Sequence, residues 1–210
     1  MCSSSPIVSI HYPKAGGSSL VRQFSGIFGE GLATYIDPDI FGNRGQDRAP
    51  FPERKTIVHG HFKATRYETA DATMFTILRH PVDVMVSWYF YWRAHPQIGG
   101  FRHERFMSEK PGIVDFARTG RYGVMMSDVY FGGFDTARLN FVGFHETREA
   151  DIPALGRTLG IDLTSDIHEN ITPPDPERDD IENDPATIGA LTDVLAKDIA
   201  FYENLRTAWS

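Results

Sequence analysis

Hydrophobic and polar positions follow two different periods along this chain. Short apolar runs rich in β-branched residues have the pattern of buried parallel strands, and segments with apolar positions at helical spacing lie between them. The strands are predicted at residues 7–10, 32–36, 56–59, 74–78 and 139–144. The helices are predicted at residues 18–29, 81–94, 150–159 and 185–209. This alternation predicts a single α/β domain over residues 1–210, with an open, mostly parallel sheet and helices on both of its faces.

Apolar stripes on two of these helices indicate which sides face the core. The inner side of the first helix is predicted to hold Leu20, Val21, Phe24, Ile27 and Phe28. The matching face of the last helix is predicted to hold Ile188, Leu191, Leu195, Ile199, Tyr202 and Leu205. Most rings of the aromatic run at residues 88–92 are predicted to be core. Residues 37–55 and 172–184 are rich in proline and charge and have no period, so both are predicted to be loops.

Composition narrows the classes of function. The formal net charge of −7 argues against a general nucleic-acid-binding protein, which normally carries a basic face. The single cysteine, Cys2, excludes an intramolecular disulfide and suits a reducing compartment. No apolar run approaches the roughly 20 residues that cross a bilayer, and a strand starting at Ile7 leaves no room for a signal peptide. These features predict a cytoplasmic protein.

A glycine turn follows the first predicted strand, in the sequence PIVSIHYPKAGGSSL at residues 6–20. A strand, a tight glycine turn and a helix N-terminus often hold a phosphate, because glycine lets the backbone approach the anion and the first helical N–H groups have no internal partner. Lys14 adds a positive charge, and Ser18 and Ser19 add hydroxyl donors or an N-cap. The common nucleotide loop GxxxxGK[ST] places its lysine after the last glycine, whereas here the lysine comes first. The alternative is a surface turn that ends a buried strand.

Two further segments place reactive side chains at strand ends, where ligands bind in open α/β sheets. Arg79 ends a predicted strand and Ser87 lies two turns into the next helix, so both are candidates to bind one anion; the alternative is that Arg79 pairs with Asp83. In VHGHF, His59 and His61 point to the same side of an extended strand. Two such imidazoles suit a general base and its orienting partner, two metal ligands, or structural histidines. Zinc is disfavoured, because neither a further cysteine nor a clear third ligand is evident.

Together, PKAGGSSL, HGHF and ILRHPVDVMVSWYFYWR resemble the sulfotransferase superfamily, and they look closest to its carbohydrate branch, which includes heparan sulfate 2-O-sulfotransferase. The segments FVGFHE at residues 141–146 and the helix at 198–202 resemble later parts of the family. The chain departs from the family pattern at three positions: Ala15 and Ser18 replace the usual threonines, and His80 stands where an acidic residue is common. The resemblance implies a P-loop-like fold and 3′-phosphoadenosine 5′-phosphosulfate (PAPS) as donor, with 3′-phosphoadenosine 5′-phosphate (PAP) as product.

The resemblance also implies roles for individual residues. The residues implied to bind the 5′-phosphosulfate are Lys14, Ala15, Gly16, Gly17, Ser18 and Ser19. Lys14 and the backbone N–H groups would stabilise the leaving phosphate, and Arg79 and Ser87 would bind the 3′-phosphate. His61 would take the proton of the acceptor hydroxyl, and His59 would orient it or contact substrate. No metal is required, because the lysine and the helix dipole supply positive charge.

The implied acceptor is a hydroxyl-bearing molecule, either a carbohydrate or another small molecule. Two alternatives stay open. A small-molecule kinase on a similar sheet needs a lysine after the glycines and a Mg²⁺-binding aspartate, and neither is evident. A catalytically silent nucleotide- or glycan-binding module would bind PAP without transferring sulfate.

Overall fold

The computed structural model describes residues 5–37, 40, 48–167 and 175–209. Cys2, residues 38–39 and 41–47 of the first predicted loop, and residues 168–174, which include the start of the second, lie outside the described residues. The glycine turn, the strand ends with reactive side chains and the C-terminal helical region all lie within them.

All five predicted strands form, at nearly the expected positions. They are β1 (Ile7–His11), β2 (Leu32–Ile36), β3 (Ile57–His61), β4 (Thr73–Leu78) and β5 (Phe141–Phe144). They make one sheet in the order β2-β3-β1-β4-β5, and every neighbouring pair is parallel. In this register Val8 of the central strand lies between Val58 and Met74. The predicted α/β class with an open, mostly parallel sheet is confirmed.

The described residues form eight α-helices. They are α1 (Gly17–Phe28), α2 (Pro81–Ala94), α3 (Phe101–Glu109), α4 (Ile113–Arg118), α5 (Arg148–Leu159), α6 (Pro176–Glu182), α7 (Pro185–Val194) and α8 (Ala196–Trp209). The helices predicted at 18–29, 81–94 and 150–159 are therefore confirmed as α1, α2 and α5. None of the described helices combines the length and apolar character that a membrane span requires.

The loop predicted at residues 172–184 is wrong in its described part, because α6 forms there. Asp175 is the N-cap of α6: its side chain accepts a hydrogen bond from Glu177 N at 3.1 Å, and Pro176 fills the first helical position. An aspartate followed by a proline is a strong start signal for a helix. That signal outweighs the acidic, proline-rich composition that suggested a loop.

The single helix predicted at residues 185–209 is also wrong, because the helical geometry is interrupted at Leu195, between α7 and α8. Leu195 has φ −98° and ψ 8°. Beside it, Gly123 packs so tightly that a Cβ there would lie 2.8 Å from the Val194 carbonyl oxygen. The predicted apolar face continues through the interruption, with four of its members buried: Leu191, Leu195, Tyr202 and Leu205.

Helices cover the sheet on both faces, as predicted. On one face, α1 and α5 pack residues such as Leu20 and Ile152 against strand residues that include Phe75. On the other face, α2, α4, α7 and α8 build the larger core cluster. Ile27 departs from the predicted inner side of α1, because its side chain is 43% exposed.

This arrangement creates a crevice at the centre of the sheet. β1 and β4 are neighbours, but α1 follows β1 onto one face and α2 follows β4 onto the other. Where connections leave adjacent parallel strands in opposite directions, the carboxyl ends of the strands border a ligand-binding crevice. The glycine turn follows β1 and Arg79 follows β4, so both lie at this crevice.

Candidate functional site

The glycine turn has the backbone conformation of an anion-binding loop. Lys14 has φ +60° and Gly16 has φ +89°, so the chain passes twice through the left-handed region before α1 begins at Gly17. The N-cap residue of α1 is Gly16, which has no side chain to bond the N–H groups of the first turn. Those N–H groups are the part of a helix that binds anions.

The two glycines of the turn are required for different reasons. Gly16 supplies the left-handed backbone. Gly17 supplies space, because a Cβ there would lie 2.1 Å from Cε1 and Nε2 of His11. The imidazole of His11 therefore packs directly on the first residue of α1. Sequence reasoning explained the pair only by close approach of an anion and missed this contact.

Two cations from the sequence prediction meet at the crevice. Arg79 donates a hydrogen bond from Nη1 to the Lys14 carbonyl oxygen at 3.3 Å, which links the end of β4 to the glycine turn. Among the described residues, Arg79 forms no ion pair with Asp83 or another carboxylate, and its buried Nε has no hydrogen-bond partner. A buried guanidinium nitrogen without a partner is costly unless an anion binds it. The alternative, an ion pair between Arg79 and Asp83, is therefore not found among the described residues.

The Lys14 ammonium lies 3.9 Å from the centre of the Tyr91 ring, a cation–π contact. Burial, together with the charges of Arg79 and Arg178, lowers the pKa of Lys14 to about 8. The aromatic run at 88–92 was predicted to be mostly core, and Tyr89 and Phe90 are buried. Tyr91 instead contacts the Lys14 ammonium, a role that the pattern of the aromatic run did not predict.

Ser87 lies one turn before Tyr91 on α2 and is buried, with 5% of its surface exposed. Residues four apart lie on the same face of a helix. The contact of Tyr91 with Lys14 shows that this face of α2 is turned toward the glycine turn. The helix therefore presents Ser87 on the side of the crevice.

A third cation comes from α6, where a loop was predicted. Arg178 donates from Nε to Glu182 Oε1 at 2.8 Å. Burial is the main cause that lowers the pKa values of Lys14 and Arg79, and the charge of Arg178 acts in the same direction on both. Arg93 of α2 holds the start of α6 through a 2.5 Å bond from Nη1 to Glu177 Oε2. This contact attaches α6, and Arg178 with it, to α2.

The end of β5 contributes a histidine and a glutamate. His145 lies at the glycine turn: its Nδ1 is 3.6 Å from the position of a Cβ at Gly16. Burial, followed by the charges of Arg79 and Arg148, lowers the pKa of His145 to about 4, so its imidazole is neutral at pH 7. Sequence reasoning singled out the segment FVGFHE but assigned no role to this histidine.

Glu146 ties the turn after β4 to the C-terminal helix. One carboxylate oxygen accepts a hydrogen bond from His80 N at 2.6 Å, and the other accepts from the Tyr202 hydroxyl at 2.9 Å. Arg206 Nη1 in turn donates to that hydroxyl at 3.0 Å. This network fixes the backbone immediately after Arg79, so Glu146 acts on the crevice through the position of the turn.

The two predicted histidines lie on one face of the sheet, as expected, but in different surroundings. His59 is buried and its Nδ1 lies 2.7 Å from Ser9 Oγ; burial, then the nearby His61, lowers its pKa to about 3. His61 is only partly buried, at the carboxyl end of β3, and its Nδ1 lies 3.0 Å from the Tyr130 hydroxyl. Burial lowers the pKa of His61, partly offset by a hydrogen bond with the His11 backbone. His61 is the better placed of the two to reach a substrate.

His11 joins this pair into a cluster of three rings. Its imidazole lies 5.0 Å from that of His59 and 4.4 Å from that of His61, between ring centroids. The same ring contacts Gly17, so the histidine cluster and the glycine turn are in direct contact. Within the described ranges, no group of three or more His, Cys, Asp or Glu side chains is arranged to hold a metal ion.

A buried aspartate positions the partner of His61. Asp198 of α8 accepts hydrogen bonds from Met126 N at 2.7 Å, Ser127 N at 2.8 Å and Ser127 Oγ at 2.6 Å. These bonds anchor the π-helical segment Met125–Tyr130, which ends at the tyrosine that contacts His61. Burial raises the pKa of Asp198, and the three bonds oppose that shift.

Comparison with known proteins finds similarity among solved structures. No protein-family model and no curated protein sequence matches the chain. Among solved structures, mouse sulfotransferase SULT7A1 complexed with PAP is 16% identical, with a TM-score of 0.40 over 77% of this chain. The chain spans 60% of the length of that mouse protein. A sulfotransferase from Alicyclobacillus acidocaldarius is 17% identical, with a TM-score of 0.39 over 95% of this chain and 98% of its own. At these values neither likeness decides function, which is argued below from the site.

Proposed function

We propose that this chain is a sulfotransferase that moves a sulfuryl group from PAPS to an acceptor hydroxyl. The observation that carries the proposal is that Lys14 and Arg79 meet beside the uncapped N-terminus of α1, where the buried Nε of Arg79 has no hydrogen-bond partner. A partly buried lysine and an unpartnered guanidinium nitrogen at one helix N-terminus are stabilised by an anionic ligand. The motif resemblance of PKAGGSSL and ILRHPVDVMVSWYFYWR supplies the donor class, which the charges alone do not distinguish from other nucleotides.

In this proposal the crevice binds two separate phosphate groups. The glycine turn binds the 5′-phosphosulfate through Lys14 and the N–H groups at the start of α1. Arg79 and Ser87 bind the 3′-phosphate, and the buried Nε of Arg79 is the donor that gains a partner. Arg178 of α6 adds positive charge that acts on Lys14 and Arg79. PAP, the nucleotide in the mouse structure, would be the product left in this crevice.

The proposed reaction is a direct transfer. The acceptor oxygen forms a bond to sulfur while the bond from sulfur to the 5′-phosphate oxygen breaks. Negative charge builds on the leaving phosphate, where Lys14 and the α1 N–H groups stabilise it. His61 takes the proton of the acceptor hydroxyl, because its lowered pKa leaves it neutral at pH 7. His59 is too deeply buried for that role, and we assign it to packing against Ser9 and His11.

The acceptor class is left at the level of a hydroxyl-bearing molecule. The carbohydrate branch of the superfamily stays a prediction from the motifs, since no contact in the crevice selects a sugar. The decisive experiment incubates the protein with ³⁵S-labelled PAPS and a panel of phenols, alcohols, monosaccharides and oligosaccharides. Transfer of label to one class, with release of PAP, supports the proposal.

Two results of that experiment would redirect the assignment. Tight binding of PAP with no transfer to any acceptor would favour the catalytically silent module. Transfer of ³²P from labelled ATP in the presence of Mg²⁺ would favour the kinase, in which case Arg79 would bind something other than a 3′-phosphate.

A further inference from the structure

A second pocket lies between α2, α3 and α4 and encloses about 200 Å³. Aromatic rings form its floor, with centroids 5.0 to 6.4 Å apart. These rings belong to Trp92, Phe106, Phe116 and Tyr122. Phe106, Phe116 and Tyr122 are buried, so each ring is held by its neighbours. The floor is therefore apolar and preformed, as in sites for small organic ligands.

The rim of this pocket carries charged side chains, whereas its floor is apolar. Arg102 and Arg105 both line it, with Glu109 as the carboxylate among the lining residues. Arg105 Nε donates to Glu109 Oε1 at 2.8 Å, which uses one of the five N–H donors of a guanidinium. Arg102 is close enough to Tyr122 for its charge to oppose the burial that raises the pKa of that hydroxyl to about 12. Two arginines and one glutamate therefore line the rim.

Phe101 completes the rim and is 79% exposed, the most exposed of the large hydrophobic residues in the described part of the chain. An exposed ring beside a preformed apolar floor extends the apolar surface that a ligand can cover. We infer that this pocket binds a small amphipathic carboxylate, with its apolar body on the aromatic floor and its carboxylate at Arg102 and Arg105. A protein partner is not the occupant we assign, because a stable protein interface needs a far larger face than this pocket offers.

The pocket is separate from the crevice of the glycine turn. Tyr91 covers Lys14, whereas the next residue, Trp92, forms the pocket floor. Successive side chains leave a helix axis about 100° apart, so α2 presents these two residues to different surroundings. This inference therefore does not depend on the proposed sulfotransferase activity.

The test measures binding of 4-phenylbutyrate and of its uncharged analogue 4-phenyl-1-butanol to the full chain by calorimetry. The acid should bind saturably and more tightly than the alcohol. The double variant R102Q/R105Q should weaken binding of the acid by about tenfold and leave binding of the alcohol unchanged. The matched control is R118Q, because Arg118 is as exposed as Arg105 and pairs with Asp115 in a similar way.

Two further arms separate this pocket from other binding. F101S should weaken both ligands, whereas I36S should weaken neither, since Ile36 is a comparably exposed apolar residue elsewhere, on β2. Saturating PAP and the Lys14→Ala variant should leave binding of the acid unchanged. The inference is overturned if neither ligand binds at millimolar concentration, if the acid and the alcohol bind equally well, if R102Q/R105Q behaves like R118Q, or if PAP displaces the acid.

Discussion

The imidazole of His11 stands so close to Gly17 that a Cβ atom at residue 17 would lie 2.1 Å from the ring. That ring is held on its other sides by His59 and His61, so it has little room to move. The first residue of α1 is thus packed against the histidine cluster. Displacement of either group is expected to disturb the other.

Gly17→Ala tests this contact directly. The added methyl group should displace His11 and lower the free energy of unfolding by about 1–3 kcal/mol, the usual cost of overpacking a tight site. The matched control is Gly26→Ala in the same helix, where nothing lies within 4 Å of the new Cβ. That variant should be more stable by about 0.5–1 kcal/mol, because alanine favours the helix. Denaturant unfolding of both variants is the measurement, and equal stabilities would contradict the contact.

Arg79→Gln tests the two-phosphate proposal. PAP should bind the unmodified chain more tightly than AMP does, because only PAP carries a 3′-phosphate for Arg79 and Ser87. Loss of the charge-assisted contact should cost PAP about ten- to a hundredfold in affinity and leave AMP nearly unaffected. Calorimetry with both nucleotides measures the difference, with Arg118→Gln as the surface control. Equal affinity of the unmodified chain for PAP and AMP would contradict a 3′-phosphate site at Arg79 and Ser87.

His61→Ala tests the assignment of the base. The variant should lose transfer while its affinity for PAP stays within about twofold, since the base contributes roughly 10²–10⁴-fold to rate and nothing to nucleotide binding. The lowered pKa of His61 predicts that the transfer activity of the unmodified chain falls only at a pH below that at which a free histidine titrates. Tyr130→Phe should shift that acid limb, because Tyr130 contacts the ring. Transfer by His61→Ala at the original rate would show that another group takes the proton of the acceptor hydroxyl.

The elements of the fold could be predicted from the sequence because their periods are strong and local. Each of the five strands is a short apolar run, and α2 has a proline at its first position and a continuous apolar pattern. The start of α6 is locally encoded as well, by the N-cap Asp175 and by Pro176, although the acidic, proline-rich composition around it is typical of a loop. Because a loop was predicted where α6 forms, Arg178 was not among the predicted site residues.

The side-chain contacts of the site could not be predicted in the same way. Local patterns identify an element but not which of its side chains meet across the sheet. Tyr91 looked like one ring among five, yet the position of α2 places it over Lys14. His11 preceded the motif that carried the resemblance, and only the parallel pairing of β1 with β3 brings it beside His61.

His59→Leu tests the effect of a buried neutral histidine on acid stability. An unfolded histidine takes up a proton near pH 6.5, whereas His59 in the folded chain does so only near pH 3. Between these values the unfolded state binds more protons, so folding stability falls as the pH falls through that window. The variant should lose less stability between pH 7 and pH 4 than the unmodified chain. Urea unfolding at several pH values measures this slope, and parallel slopes would contradict the burial of a neutral imidazole.

Lys14 should set the alkaline limit of activity. Its pKa is lowered to about 8, so the chain without nucleotide loses this charge as the pH rises through 8, and kcat/KM for transfer should fall there. Lys14→Ala should slow transfer more than it weakens PAP binding, because the charge that Lys14 meets grows in the transition state. Lys14→Arg should keep part of the activity and move the alkaline limb upward, since a guanidinium stays charged to about pH 12.

PAP binding near pH 8 should also take up protons, because the bound phosphates favour charged lysine. Calorimetry in buffers of different ionisation enthalpy measures this uptake. An alkaline limb that is unchanged in Lys14→Arg, or a Lys14→Ala variant in which only KM rises, would make Lys14 a binding residue without a role in stabilising the leaving phosphate.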